Sequence, residues 1–206
     1  MQADVQRINT YSDPRFSQRV LWQHGAFLAD GQPYEVEITG PHTAVVRGLN
    51  PSIFPEVIEL FRFFAEHICY FYNEIGQLVR EYPPVKLFWV DLSEIQPSQF
   101  YVDEEKLAAV KTFVTQPEDI VVPVIRGETG YISLDGHTRL ALALELGFDK
   151  VMAFRTRAGE YMKDFVREAQ EREIFSPNDL KILSHSEYEI KWNQFCDDFF
   201  ERRAET

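Results

Sequence analysis

In the stretch GAFLADGQPYEVEITGPHTAVVRG, residues 25–48, Tyr34, Val36 and Ile38 alternate with polar residues, and Asp30-Gly31 and Gly40-Pro41 break the runs. A period of two with turn residues at the breaks predicts short antiparallel strands. The period then lengthens. Val57, Phe61, Phe64, Ile68, Phe71, Ile75 and Leu78 recur every three or four positions, which predicts an amphipathic helix running at least as far as Ile68. Asn73 to Gly76 leaves open a second arrangement, a turn between two strands. Residues 1–20 are polar and predict a loosely held start.

Pro83-Pro84 ends this pattern. VKLFWVDLSEI is a continuous apolar run with β-branched and aromatic residues, which predicts a buried strand. A polar loop follows, then a helix from about Asp103 whose acidic first turn suits the positive end of the helix dipole. IVVPVIRG predicts another buried strand and Glu128 to Gly130 a turn. YISL predicts a strand, followed by a short helix ending at Gly147, and VMAF a last strand. Strand, helix, strand, strand, helix, strand makes an α/β (α+β) unit, a small mixed sheet with covering helices. From Gly159 the tail reads as helical throughout. One helix covers Tyr161 to Arg172, Ser176-Pro177 opens a second piece, and the last helix carries Tyr188, Ile190, Trp192, Phe195, Phe199 and Phe200. Three parts follow: a β-hairpin and amphipathic-helix region over residues 1–87, an α/β core over 88–156, and a helical extension packed on that core over 157–206.

Composition narrows the functional classes. The chain has 206 residues, 45% of them apolar and 26% charged, with 17 Phe and a formal charge of −12. That charge argues against DNA as a partner, since duplex binding rests on Lys and Arg neutralising phosphates. The first residues have no apolar leader and no stretch approaches a membrane span, so the expected partners include no membrane and the expected location is cytoplasmic. Cys69 and Cys196 have neither C-x-x-C nor zinc-ligand spacing and read as reduced thiols. His24, His42, His67 and His185 are scattered without fixed spacing and read as surface or packed histidines. Asp103-Glu104-Glu105 reads as a solvated helix start, and would hold a metal only if it faced the segment described next.

That segment is Asp135-Gly136-His137-Thr138-Arg139, between the YISL strand and its helix. Gly136 lets the backbone turn sharply with no Cβ in the way of a ligand. The helix start points unpaired N–H groups and a positive dipole end at the turn, which makes an anion site. Arg139 could add a forked pair of charge-assisted hydrogen bonds to phosphate oxygens, and His137 and Thr138 could donate to the same oxygens. Asp135 could hold a magnesium ion or act as a base. The alternative is a capped turn, with Asp135 capping the helix and Arg139 solvated.

The stretch from Leu92 to Phe154 resembles the ParB/sulfiredoxin superfamily. The resemblance is carried by SEIQPSQ, VVPVIRG and ISLDGHTRLALALELG, which match the family's I-x-P-S, P-V and D-G-H-x-R frame over about a third of the chain. It implies that Gly136, His137, Thr138 and Arg139 contact the phosphates of a nucleotide, with Ser98 and Gln99 of the early loop beside them. Sulfiredoxins place their catalytic cysteine where this chain has His137, and ParB partition proteins follow the domain with a basic helix-turn-helix that the acidic tail lacks. The free serine kinases are the best match at D-G-H. They use a glutamate as base at the position of Gln99, which cannot accept a proton; Glu94 or Asp135 could take its place. The tail from Ser176 to Cys196 resembles the segment that follows the motif in bacterial ParB-like proteins of unknown role.

Two expectations follow. One is a nucleotide-binding protein, ATP or ADP with magnesium as cofactor, acting as a phosphotransferase on a small hydroxylated metabolite. There Gly136, His137, Thr138, Arg139, Ser98 and Gln99 bind phosphate, Asp135 and Glu94 are catalytic, and Asp135 holds the metal. The other is a non-catalytic nucleotide-regulated module whose aromatic front third binds a protein partner or a second copy of the chain.

Overall fold

The computed structural model describes residues 4–10 and 12–204 and divides into two units at Leu87/Phe88. In the first, β1 (Val5–Arg7) and α1 (Gln18–Trp22) precede β2 (Ala26–Ala29), β3 (Gln32–Gly40), β4 (Thr43–Gly48), α2 (Phe54–Arg62), β5 (Tyr70–Tyr72) and β6 (Leu78–Glu81). The polar start thus contains a strand and a helical turn, the latter capped by Ser17, whose Oγ accepts the Val20 N–H at 3.2 Å. Asp30 and Gly31 take φ of 48° and 77°, the left-handed geometry that a two-residue hairpin needs between β2 and β3.

The six strands lie in sequence order, antiparallel except that β4 and β5 run parallel. A parallel pair needs a crossover, and α2 lies within it. Alternation puts Tyr34, Val36, Ala44 and Val46 inward, where Phe54, Val57, Ile58 and Phe61 of α2 cover them. The expected helix to Ile68 stops at Arg62 instead. Phe63 is 86% exposed, whereas Ile68 and Phe71 re-enter the same core from a loop and from β5. A stripe read as helical is therefore supplied partly by a strand, with Phe71 inward between half-buried Tyr70 and Tyr72. Asn73 to Gly76 forms the alternative strand-to-strand turn, closed by the Gln77 N–H donating to Asn73 Oδ1 at 2.8 Å.

The second unit contains β7 (Leu87–Asp91), β8 (Ile95–Pro97), β9 (Tyr101–Asp103), α3 (Glu104–Val110), β10 (Val121–Arg126), β11 (Tyr131–Ser133), α4 (His137–Glu145), β12 (Lys150–Arg155), α5 (Met162–Glu171), β13 (Lys181–Leu183), α6 (His185–Tyr188) and α7 (Gln194–Ala204). A mixed five-stranded sheet runs β7-β12-β10-β11-β8, with β12–β10 and β11–β8 parallel and β10–β11 antiparallel. This is the α+β class expected, a mixed sheet with covering helices. Val122 and Val124 of β10 pack with Leu107 and Val110 of α3 and Leu140 and Ala143 of α4. Ile125, on the opposite face, joins Phe165 of α5 and Phe199 of α7. The sheet is thus sandwiched, and the residues facing α3 and α4 are almost all branched aliphatics.

Three short strands depart from expectation. β8 and β9 lie where a polar loop was expected, and β13 lies in the tail expected to be helical. Three residues are too few to show a period, and β13 exists because β9, 80 positions earlier at Tyr101↔Lys181, offers a parallel partner. β7, expected to be buried, is an edge strand, and its Trp89 is 40% exposed. The closing helix is broken by a π-helical turn over Glu189–Asn193.

Candidate functional site

β11 delivers the chain to α4 through residues 134–136. Leu134 still bonds to β10, its N–H donating to the Pro123 carbonyl at 3.0 Å. Gly136 then turns the chain with φ 80° and serves as N-cap without a side-chain acceptor for the helix amides. A Cβ there would sit 2.8 Å from Val122 Cγ1 and 3.1 Å from Arg139 Nη2. Glycine is required twice, by the left-handed backbone and by the crowding. The first-turn amides of α4 leave the helix axis with no side-chain cap, the arrangement that favours an anion.

His137 does not face that anion with Nε2. It is 4% exposed, and its Nε2 accepts the Ser98 N–H at 3.2 Å and lies 3.2 Å from Ser133 Oγ. Ser98 Oγ in turn donates to the Ser133 carbonyl at 2.7 Å. Burial pushes the His137 pKa down to about 4, outweighing the attraction of Asp135. A neutral ring accepting at Nε2 carries its proton on Nδ1. Ser98 and His137, both expected at phosphate, instead lock the end of β8 to the end of β11.

Arg139 is half-buried. Its Nη1 donates to the Val121 carbonyl at 2.8 Å, and Nη2 stands 3.7 Å from Asp135 Oδ2. Asp135 is largely exposed, and Thr138 is half-buried on the same first turn. Gln99 is committed to its own loop and to α6, its amide nitrogen donating to the Tyr101 carbonyl and, at 3.3 Å, to Tyr188 Oη. Glu94 does not join the group. It is exposed at the start of β8, its carbonyl packed against Gly130 in the β10–β11 turn, while the motif lies beyond the other end of β8 and β11. The four-residue step from Glu94 to Ser98 spans roughly 13 Å of strand.

Lys106 carries no motif in the sequence and is brought to this place by the packing of α3 against α4. Burial lowers its pKa, and the carboxylates of Asp103 and Asp135 oppose that. Its Nζ lies 4.5 Å from the centroid of the Tyr188 ring. Only the packing of α3 against α4 sets Lys106 beside the motif, and its spacing from Asp135 carries no sequence signal. Asp103, the first of the acidic run, is 1% exposed: Oδ1 accepts the Glu105 N–H at 2.9 Å and Oδ2 lies 2.7 Å from His185 Nδ1. Glu104 and Glu105 face solvent. Among the described residues, no three His, Cys, Asp or Glu side chains are placed to hold a metal ion. Asp135, expected to hold a metal, is therefore not part of a three-ligand group among the described residues.

The site belongs to an α+β protein with an uncapped helix start flanked by one arginine and one lysine. No family model matches the chain. No curated protein matches it. Among solved structures, protein Atu1540 from Agrobacterium tumefaciens is similar at 15% identity and a TM-score of 0.34, over 47% of this chain and 62% of that one. The chain thus spans less than two thirds of that protein's length. No helix among the described residues is long and apolar enough to cross a membrane.

Proposed function

We propose that the chain binds a nucleotide through its phosphates at the first turn of α4 and transfers a phosphoryl group to a small hydroxylated acceptor. The observation that carries the reading is the pairing of the side-chain-free cap at Gly136 with two cations, Arg139 and Lys106, in a chain of net charge −12. Local positive charge in an acidic protein favours a compact anion over a nucleic-acid duplex. The resemblance of residues 92–154 to the ParB/sulfiredoxin superfamily supports ATP or ADP, with magnesium as the counter-ion of the phosphates. Gly136, Thr138 and Arg139 keep the phosphate role expected of them, and Lys106 joins them. Ser98 and His137 support the turn from beneath.

A second reading, a nucleotide-regulated module without catalysis, is favoured by Gln99, whose amide is bound to Tyr101 and Tyr188. The protein-binding part of that reading has less support, because Val57, Phe61, Ile68 and Phe71 are core.

Thermal denaturation with ATP, ADP, CTP and GTP, with and without magnesium, tests the binding. A ligand selective for the native state stabilises it by about 2.7 kcal/mol at a hundred times its dissociation constant. The wild type is expected to gain stability with one nucleotide, and Arg139→Ala and Lys106→Gln to lose that gain. No shift with any of the four nucleotides would return the motif to a structural turn.

A further inference from the structure

Phosphoryl transfer to a hydroxyl needs a proton acceptor, and the sequence-based candidates do not supply one well. Gln99 has no basic atom, Glu94 lies at the wrong end of β8, and Asp135 is drawn toward Arg139. A different base lies beside the start of α3. α6 runs beside the start of α3 and meets it in two places: His185 Nδ1 is 2.7 Å from Asp103 Oδ2, and the Tyr188 ring is 4.5 Å from Lys106 Nζ. Asp103 and Lys106 are one helical turn apart, as are His185 and Tyr188. The carboxylates of Asp103, which holds His185, and of Asp135 on the α4 turn both act on that lysine.

We propose that His185, oriented by Asp103, is the general base that takes the acceptor's hydroxyl proton; the inference rests on the phosphotransfer reading above. Asp103 is buried and holds Nδ1–H, so the imidazole presents Nε2 for proton exchange, the division of labour seen wherever a buried carboxylate positions a catalytic histidine. The ring is 41% exposed, and an acceptor reaching Nε2 would do so beside the exposed Glu189 carboxylate, 3.7 Å away. The charged groups acting most strongly on it are acidic: Asp103 of β9, Glu105 of α3, and Glu189 just past the end of its own helix, 3.7 Å from Nε2, while the cation of this region, Lys106, lies over the Tyr188 ring. These raise its pKa, led by the hydrogen bond to Asp103, and make it a stronger base than a free imidazole.

In the step itself, the acceptor oxygen bonds to the terminal phosphorus of a nucleoside triphosphate while its proton passes to Nε2. The bond from that phosphorus to the bridging oxygen breaks, and its electron pair leaves with the nucleoside diphosphate. The imidazolium then returns its proton to solvent. Asp103 acts through His185 and is a positioning residue.

The test uses ATP labelled at its terminal phosphate, magnesium, and a panel of acceptors comprising a hydroxy amino acid, glycerol and a sugar alcohol. Binding is followed by calorimetry and transfer by label. His185→Gln is expected to bind ATP within about twofold of wild type and to transfer at least about 100-fold more slowly. The wild-type rate should rise with pH through a limb above 6.5 that His185→Gln lacks. Asp103→Asn should move that limb to lower pH, which a merely structural lesion would not do. Equal transfer rates in wild type and His185→Gln, or ATP binding by wild type with transfer to no acceptor, would overturn the assignment of His185. Absence of ATP binding by wild type would overturn the phosphotransfer reading itself, and the base with it.

Discussion

Protonating His137 should loosen the second unit, because the proton has no place in the folded structure. Its Nε2 already accepts from the Ser98 N–H, and the ring is 4% exposed. An ordinary histidine takes up its proton near 6.5, whereas burial holds this one down to about 4. Between those values the unfolded chain binds a proton that the folded chain refuses. Stability from this group is therefore complete above about pH 6.5, falls as the pH drops, and is fully lost by about pH 4. Two and a half units correspond to about 3 kcal/mol, a large share of the stability of a small domain. His137→Gln keeps an acceptor near Ser98 but removes the titration, so its stability should fall less across that window. Denaturant unfolding followed by Trp192, which packs in this unit against Phe195, measures the slope from pH 7 to 4. Proton NMR of the five histidines gives the assignment directly, with His137 titrating near 4 and His185 above 6.5. Parallel slopes for wild type and His137→Gln, or a native His137 titrating at 6 or higher, would refute the argument.

Two further outcomes follow from single residues. Gly136→Ala should cost about 1–2 kcal/mol for the left-handed backbone alone, and more if Val122 cannot move away from the new methyl, as read by urea denaturation. Cys196 should resist thiol reagents, because burial pushes its pKa up to about 11, and Cys69 is buried outright. Counting reactive thiols with and without denaturant should give slow reaction in the native protein and two full equivalents once unfolded; rapid native reaction of either would contradict the packing of its surroundings.

Which features could be read ahead of the structure depended on how far apart the interacting residues stand. The β2–β3 hairpin, α3, the strand-turn-helix around Gly136 and the end of α4 at Gly147 are written in neighbouring residues, through period, turn chemistry and caps. The start of α4 at a left-handed glycine, with an arginine in its first turn, was legible for the same reason, because these residues are neighbours in the chain. Sequence by itself also determined the α+β class and the acidic surface, since composition and local periodicity do not depend on tertiary contacts.

Tertiary structure decided the rest. The stripe from Val57 to Phe71 is equally compatible with a long helix and with a short helix followed by a strand, because both return an apolar residue to the core at intervals of three or four; the parallel pairing of β5 with β4 selected the second. β13 has no pattern of its own and forms only against β9. At the site, His137 lies in the motif, yet it became a buried support when the Ser98 loop folded over it. Lys106 and His185 carry no motif at all. They stand 79 positions apart and meet around Asp103 because α3, α4 and α6 converge there, and a convergence of distant segments leaves no mark in the order of residues along the chain.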